Sequence, residues 1–140
     1  MSVNKATAAA IEAVGGDPTD HTWEWLALYG PHGERFTWSQ TRSQPPGYVS
    51  VEHLEETFVE RERQDPGYRA RVLGVARKAL SSTDSGLLLR AVQIAAVLGG
   101  GDELRTISAL KAHPDLGVAA NAKAGAFYLK QKLRSSGESE

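Results

Sequence analysis

The 140-residue sequence predicts an all-α protein. The expected form is a compact antiparallel helical array, either an α-solenoid or a five- to six-helix bundle, with an irregular tryptophan-rich N-terminal cap. Three observations carry that expectation. From about residue 50 onward, apolar residues recur at helical spacing in five successive stretches. Only a few residues separate those stretches, and such short connections favour antiparallel neighbours. Six of the ten aromatic residues lie between His21 and Tyr48, outside those stripes.

The first helix is expected over 4–14. It is alanine-rich, so it forms readily but offers little packing surface, and Gly15-Gly16-Asp17-Pro18 ends it. Residues 22–29 read as a short helix through Trp23, Leu26 and Ala27, or as a strand through Trp23 and Trp25 around Glu24. Gly30-Pro31-His32-Gly33 is a turn. Residues 35–42 favour β structure, but one or two short strands cannot build a sheet with a helical remainder. Pro45-Pro46-Gly47 closes this segment.

Ser50 is placed to N-cap a helix over 51–63, with Glu52 in its first turn and Val51, Leu54 and Phe58 as its stripe. Asp65-Pro66 reads as N-cap and first residue of the next helix, which runs to about 80 with Tyr68, Val72, Val75, Ala76 and Ala79 on one face. Ser81-Ser82-Thr83-Asp84 breaks it. Helix 85–98 is apolar nearly all round, which predicts a central position. After Gly99-Gly100-Gly101, helix 102–112 is amphipathic through Leu104, Ile107 and Leu110. Lys111 and His113 suit its negative C-terminal end. Pro114-Asp115 precedes a last helix over 116–133, striped by Val118, Ala122, Ala126, Leu129 and Leu133. A disordered tail is expected over 135–140.

This organisation amounts to one domain over 1–134, with 1–48 as helix and cap and 49–134 as the array. The absence of cysteine excludes disulfides, thiolate metal sites and a cysteine nucleophile. The longest apolar run, 87–98, contains Arg90 and Gln93 and falls short of the roughly 20 residues that cross a bilayer. Residues 1–6 lack the character of a secretory signal. A cytoplasmic protein without membrane contact is expected.

The net charge of −1 conceals an asymmetry. Residues 1–65 hold 11 acidic and 5 basic residues, whereas 66–140 hold 6 acidic and 11 basic. Glu52, Glu55, Glu56, Glu60 and Glu62 crowd one helix, and Arg61, Arg63, Arg69, Arg71, Arg77 and Lys78 follow. Two such helices side by side neutralise each other; facing outward, they steer a charged partner.

Residues 87–113 carry a further pattern. Leu89-Arg90 is followed by the small and apolar Ala96-Val97, then by the turn Gly101-Asp102-Glu103-Leu104 and a second turn at His113-Pro114-Asp115. Val118-Ala-Ala-Asn-Ala-Lys-Ala opens another small-residue helix, and Asp65-Pro66-Gly67-Tyr68-Arg69 resembles the same entry one unit earlier. The pattern resembles the HEAT-type helical repeats over about 65–133. The resemblance implies stacked helix pairs that approach through small residues. Asn121 or Ala119 stands where the family has a second arginine, the candidate units are unequally spaced, and the tryptophan-rich segment has no counterpart in the repeat.

Candidate chemistry is sparse. The four histidines, His21, His32, His53 and His113, include no i, i+4 metal pair. His53 and Glu56 stand in the reverse order from a di-iron motif. Gly99-Gly100-Gly101-Asp102 lacks the lysine of a phosphate loop, and no nucleophile elbow is present. No cofactor and no metal are expected. The leading expectation is a non-enzymatic protein-binding module. By analogy of size and fold class, stoichiometric adaptors or inhibitors such as bacterial immunity proteins are of this kind. Its expected contact residues are Trp38, Tyr48, Arg69, Arg71, Arg77 and Lys78, with Arg42 framing the same edge. Nucleic acid is the alternative partner, held through Arg71, Arg77, Lys78, Lys123 and Lys130, although a sequence pI near 6.4 is low for that role. An enzyme of unrecognised mechanism, using His21, His53 or Glu56, is the third reading.

Overall fold

Seven helices and one short strand pair make up residues 4–27, 35–38 and 48–137, the part of the chain described by a computed structural model. In chain order they are α1 (Lys5–Ala13), α2 (Glu24–Ala27, entered through a 3₁₀ turn at His21–Trp23), β1 (Arg35–Thr37) and β2 (Tyr48–Ser50). Then follow α3 (Val51–Gln64), α4 (Tyr68–Ala79), α5 (Ser85–Leu98), α6 (Gly101–Ala109, extended by a 3₁₀ turn at Leu110–Ala112) and α7 (Leu116–Ser135). The class is all-α. Among the described residues no helix is long and apolar enough to cross a membrane.

Local chemistry sets most boundaries. Side-chain oxygens of Asn4, Asp20, Ser50, Asp84 and Asp115 each accept a backbone N–H two or three residues on, the N-cap arrangement. The helical reading of the Trp23–Trp25 region holds, while Tyr29 lies outside the described residues. β1 and β2 pair in parallel, Phe36 opposite Val49, and add only three residues each to a helical molecule. The last helix extends beyond the expected 133: Ser135 belongs to α7, with Ser136 as its C-cap and Gly137 beyond it at φ 81°. Residues 138–140 lie outside the described part.

The start of α4 departs from expectation. It begins at Tyr68, and its N-cap is Gly67 at φ 92°, a left-handed conformation that glycine adopts without a Cβ penalty. Gly67 has no side chain to cap with. The Glu62 carboxylate supplies the cap instead, accepting the Gly67 N–H at 2.7 Å and the Arg69 N–H at 3.0 Å. Those two bonds hold the Glu62 carboxyl below its ordinary range. The residue expected to cap, Asp65, pairs with Arg71.

α5 occupies the centre, as its all-round apolar character predicts. Ten of its fourteen residues are buried, and every other helix packs on it. Its deepest partnership is with α7. Leu89 faces Gly117, Gln93 donates to the Asn121 side-chain oxygen at 3.1 Å, Ala96 faces Gly125, and the Val97 carbonyl accepts from the Lys132 ammonium. Positions rise together along both helices, so α5 and α7 run parallel. A Cβ on Gly125 would stand 3.2 Å from the Ala96 Cβ and 3.2 Å from the Trp38 ring. Only a very small residue allows that approach.

The aromatic segment is built into this core. Trp23 and Trp25 are buried, and Trp25 Nε1 donates to the Tyr68 hydroxyl at 2.7 Å while its ring packs 4.8 Å from Phe58. The Arg61 guanidinium lies over both the Trp25 and Tyr68 rings. The buried Arg90 donates from Nε to the Leu26 carbonyl, tying α2 to α5. Trp38 closes the α5–α7 seam from outside. Its Nε1 donates to Asn121 at 2.9 Å, and Phe36 meets its ring edge-on.

The seam has a direct test. Gly125→Val should destabilise the protein by about 1–3 kcal/mol, because the added methyls enter a filled space. Gly74→Ala in α4, where a Cβ meets nothing within 4 Å, should instead be neutral or raise stability by about 0.5–1 kcal/mol through helix propensity. Thermal denaturation of the two variants reads both effects, and equal effects would remove the packing explanation.

Candidate functional site

The arginines expected to form a binding edge are engaged within the molecule. Arg69 Nε lies 3.7 Å from Glu62, Arg71 pairs with Asp65, and Arg77 Nε donates to Glu103 at 2.7 Å. Glu103 is 4% exposed and also accepts the Gly100 N–H at 2.8 Å. Burial raises its pKa, but the Arg77 bond, the Gly100 N–H and the Arg77 charge outweigh burial, leaving the carboxyl below its ordinary range. Lys78 is exposed and has no ion-pair partner among the described residues.

The six expected contact residues do not converge on one site. Trp38 and Arg69 line adjoining depressions of about 430 and 200 Å³ that share Glu55 and Lys132. Tyr48, 42% exposed, lines neither, and nor do Arg71, Arg77 or Lys78. Arg42 lies outside the described residues. Glu55 between the two depressions is a structural tie: it accepts from the Tyr128 hydroxyl and from Lys132 Nζ at 3.3 Å, joining α3 to α7. Burial, then the bond to Glu55 and its charge, push the Tyr128 hydroxyl well above its ordinary pKa.

A different face is presented by α7. Val118, Ala122, Ala126, Leu129 and Leu133 turn inward and are buried. Lys123, Phe127 and Lys130 stand at i, i+4 and i+7 and are exposed, Phe127 to 67%. On the α6 side of this row lies a groove of about 630 Å³. Leu104 and Ala126 provide apolar surface, while Arg105, Lys111, Lys123 and Lys130 line it, with no carboxylate among the described lining residues. Arg105 pairs with Asp102 one turn away on α6. On the other side, Phe127 also lines the depression that holds Trp38. Phe127 is thus a ridge between a basic groove and an aromatic one.

Of this face, Lys123 and Lys130 were legible from their heptad spacing. Phe127 was missed, though its signal was present: it falls off the apolar stripe of its own helix and between two lysines. Arg105 and Lys111 reach the groove only by the packing of α6 on α7, which no local pattern announces.

Other candidate chemistry does not assemble. Among the described residues no group of three or more His, Cys, Asp or Glu could hold a metal ion. His53, Glu56 and Glu60 line a shallow depression of about 310 Å³ formed by the surface of α3 itself, and His21 is not part of it. His113 takes a turn role, its Nδ1 accepting the Asp115 N–H at 3.0 Å. His32 lies outside the described residues. Gly99 serves packing, since a Cβ there would collide with the Ala95 carbonyl and the Glu103 side chain. No protein-family model matches the chain, and neither the curated proteins nor the solved structures contain a match.

The Arg77–Glu103 bridge can be tested by pH. Arg77→Ala should cost about 1 kcal/mol at neutral pH, a value kept low because the Arg77 side chain is 55% exposed. The folded-state pKa of Glu103 is depressed, so its contribution is full above the ordinary value of 4.5 and is lost as pH falls through the lower folded value. The stability gap between wild type and Arg77→Ala should therefore narrow on acidification below about 4.5. A gap that widens there would contradict the assignment.

Proposed function

We propose that this chain is a non-enzymatic protein-binding module that docks a macromolecular partner on the outer face of α7 and the α6–α7 groove. One observation carries the reading. Phe127, a large aromatic 67% exposed, projects between Lys123 and Lys130 beside a groove whose described lining includes Arg105, Lys111, Lys123 and Lys130, Arg105 being paired with Asp102. An exposed aromatic flanked by charge, next to a concave surface, is the composition of an interface anchor with a polar rim. The HEAT-like arrangement belongs to the same proposal. The parallel contact of α5 with α7, made through Ala96 and Gly125, supports a stacking of helix pairs, and the buried Trp23–Trp25 segment supports a cap on that stack. Stoichiometric adaptors and inhibitors, toxin-neutralising proteins among them, fall within this class by analogy of fold class and size.

Phosphate-backbone binding is the second reading, favoured by Lys123 and Lys130 in the groove. Against it, Arg71 and Arg77 are engaged by Asp65 and Glu103, so the proposed cations do not form one track.

Affinity purification of the tagged protein from its native host tests the leading reading. A protein partner in stoichiometric amount is expected with wild type and should be lost with Phe127→Glu. Recovery of nucleic acid alone, or a partner retained by Phe127→Glu, would contradict it.

A further inference from the structure

We infer that the outer face of α7 pairs antiparallel with α7 of a second copy of this chain, Leu116 of each copy seated against Phe127 of the other. The inference rests on the protein-binding reading above and names the partner of that face. Leu116, Ala120, Lys123 and Phe127 are all exposed, Leu116 to 84% and Phe127 to 67%, and they follow one another at spacings of four, three and four residues. That alternation is the seam of a helix pair, and it keeps the four on one side of α7. Leu116 and Phe127, eleven residues apart, point within about 20° of each other and stand about 16 Å apart along the axis. The two large apolar side chains of the seam therefore project in one direction.

The order of residues in the seam selects a second copy as the occupant. An antiparallel pair centred between Asn121 and Ala122 sets Leu116 against Phe127 of the second copy and Ala120 against its Lys123, and the two-fold axis repeats both contacts. Each large apolar residue meets a large apolar residue. Each lysine lies over an alanine, its aliphatic stem on the seam and its ammonium turned to water. The incoming leucine finds further apolar surface beside the ring, because Phe127 borders the groove floored by Leu104 and Ala126. Other arrangements oppose charge to charge or to leucine. A parallel pair puts Lys123 on its own counterpart. An antiparallel pair centred one turn further along sets Leu116 against Arg134, and centred two turns along it sets Lys123 against Arg134. The seam is short, so the area it covers falls below the roughly 1,200 Å² of stable interfaces, and the dimer is a weak one that forms at high protein concentration. Lys111 and Lys123 flank the contact in both copies, so the association is apolar in origin and opposed by charge.

Sedimentation equilibrium of the full chain between about 10 μM and about 1 mM tests the inference. The mean mass should rise from 15.1 kDa toward twice that value. Added salt should strengthen the association, because screening relieves the repulsion between lysines while apolar burial remains. Leu116→Ala and Phe127→Ala should each weaken it by at least about tenfold. Both residues are exposed, and circular dichroism should confirm unchanged helicity. The chain has no cysteine, so Ala120→Cys introduces a single thiol. In the proposed pair the two copies of position 120 are offset by about 4.5 Å along the axis, within reach of a disulfide, whereas the two copies of Ser135 are offset by about 40 Å. Under mild oxidation Ala120→Cys should form a covalent dimer and Ser135→Cys should not, a result that misfolding could not produce. A monomer at about 1 mM, an association that weakens with salt, or equal cross-linking of the two cysteine variants would overturn the inference. If the chain stays monomeric while Phe127→Glu still releases a partner from the native host, the self-pairing falls and the protein-binding reading stands.

Discussion

The close parallel contact between α5 and α7 is the constraint on which the rest of the molecule depends. It exists because Gly125 and Ala96 together leave no bulk between the helices and because Gln93 meets Asn121 inside the seam. Everything else is arranged around it. α4 and the Trp23–Trp25 segment cover other faces of α5, α6 lies along α7, and Trp38 covers the seam through its bond to Asn121. With its apolar stripe committed to α5 and α6, α7 has one face left, and that face carries Lys123, Phe127 and Lys130. The proposed binding surface is thus a consequence of how the core is filled.

Electrostatics follow the same division. The crowding of glutamates on α3 and arginines on α4 resolves mostly into pairs that act structurally. Glu62 caps α4, Asp65 holds Arg71, Glu24 lies 3.5 Å from Arg61, and Glu103 takes Arg77 from a distant helix. Exposed pairs of this kind contribute little stability individually. Arg105 in the groove between α6 and α7 is paired in the same way, with Asp102, and Lys111 and Lys123 line the groove beside it.

Much of this architecture was legible in the residues. The apolar run of α5 announced its central place, and Ser50 announced the start of α3, because caps act within three residues. Asp84 and Asp115, read only as breaks between helices, cap α5 and α7 in the same way. The start of α4 was misplaced because its cap comes from Glu62, across a turn, and the glycine it serves resembles an ordinary linker residue. The pairing of β1 with β2 and the bonds of Trp38 to Asn121 and Trp25 to Tyr68 join residues far apart in sequence, where spacing carries no signal. The candidate site divides similarly. The lysine spacing on α7 was visible, but the arginines of α4 seemed equally available until their carboxylate partners were placed.

If the α5–α7 seam is the element on which the fold rests, the two helices should lose structure only together. Amide hydrogen exchange measures this directly. The slowest-exchanging amides should lie in the middle of both helices, with equal protection matching the global unfolding free energy. Exchange of the α7 amides by separate opening, well before those of α5, would contradict the account. It would leave Lys123, Phe127 and Lys130 on a helix too mobile to present them as a fixed surface.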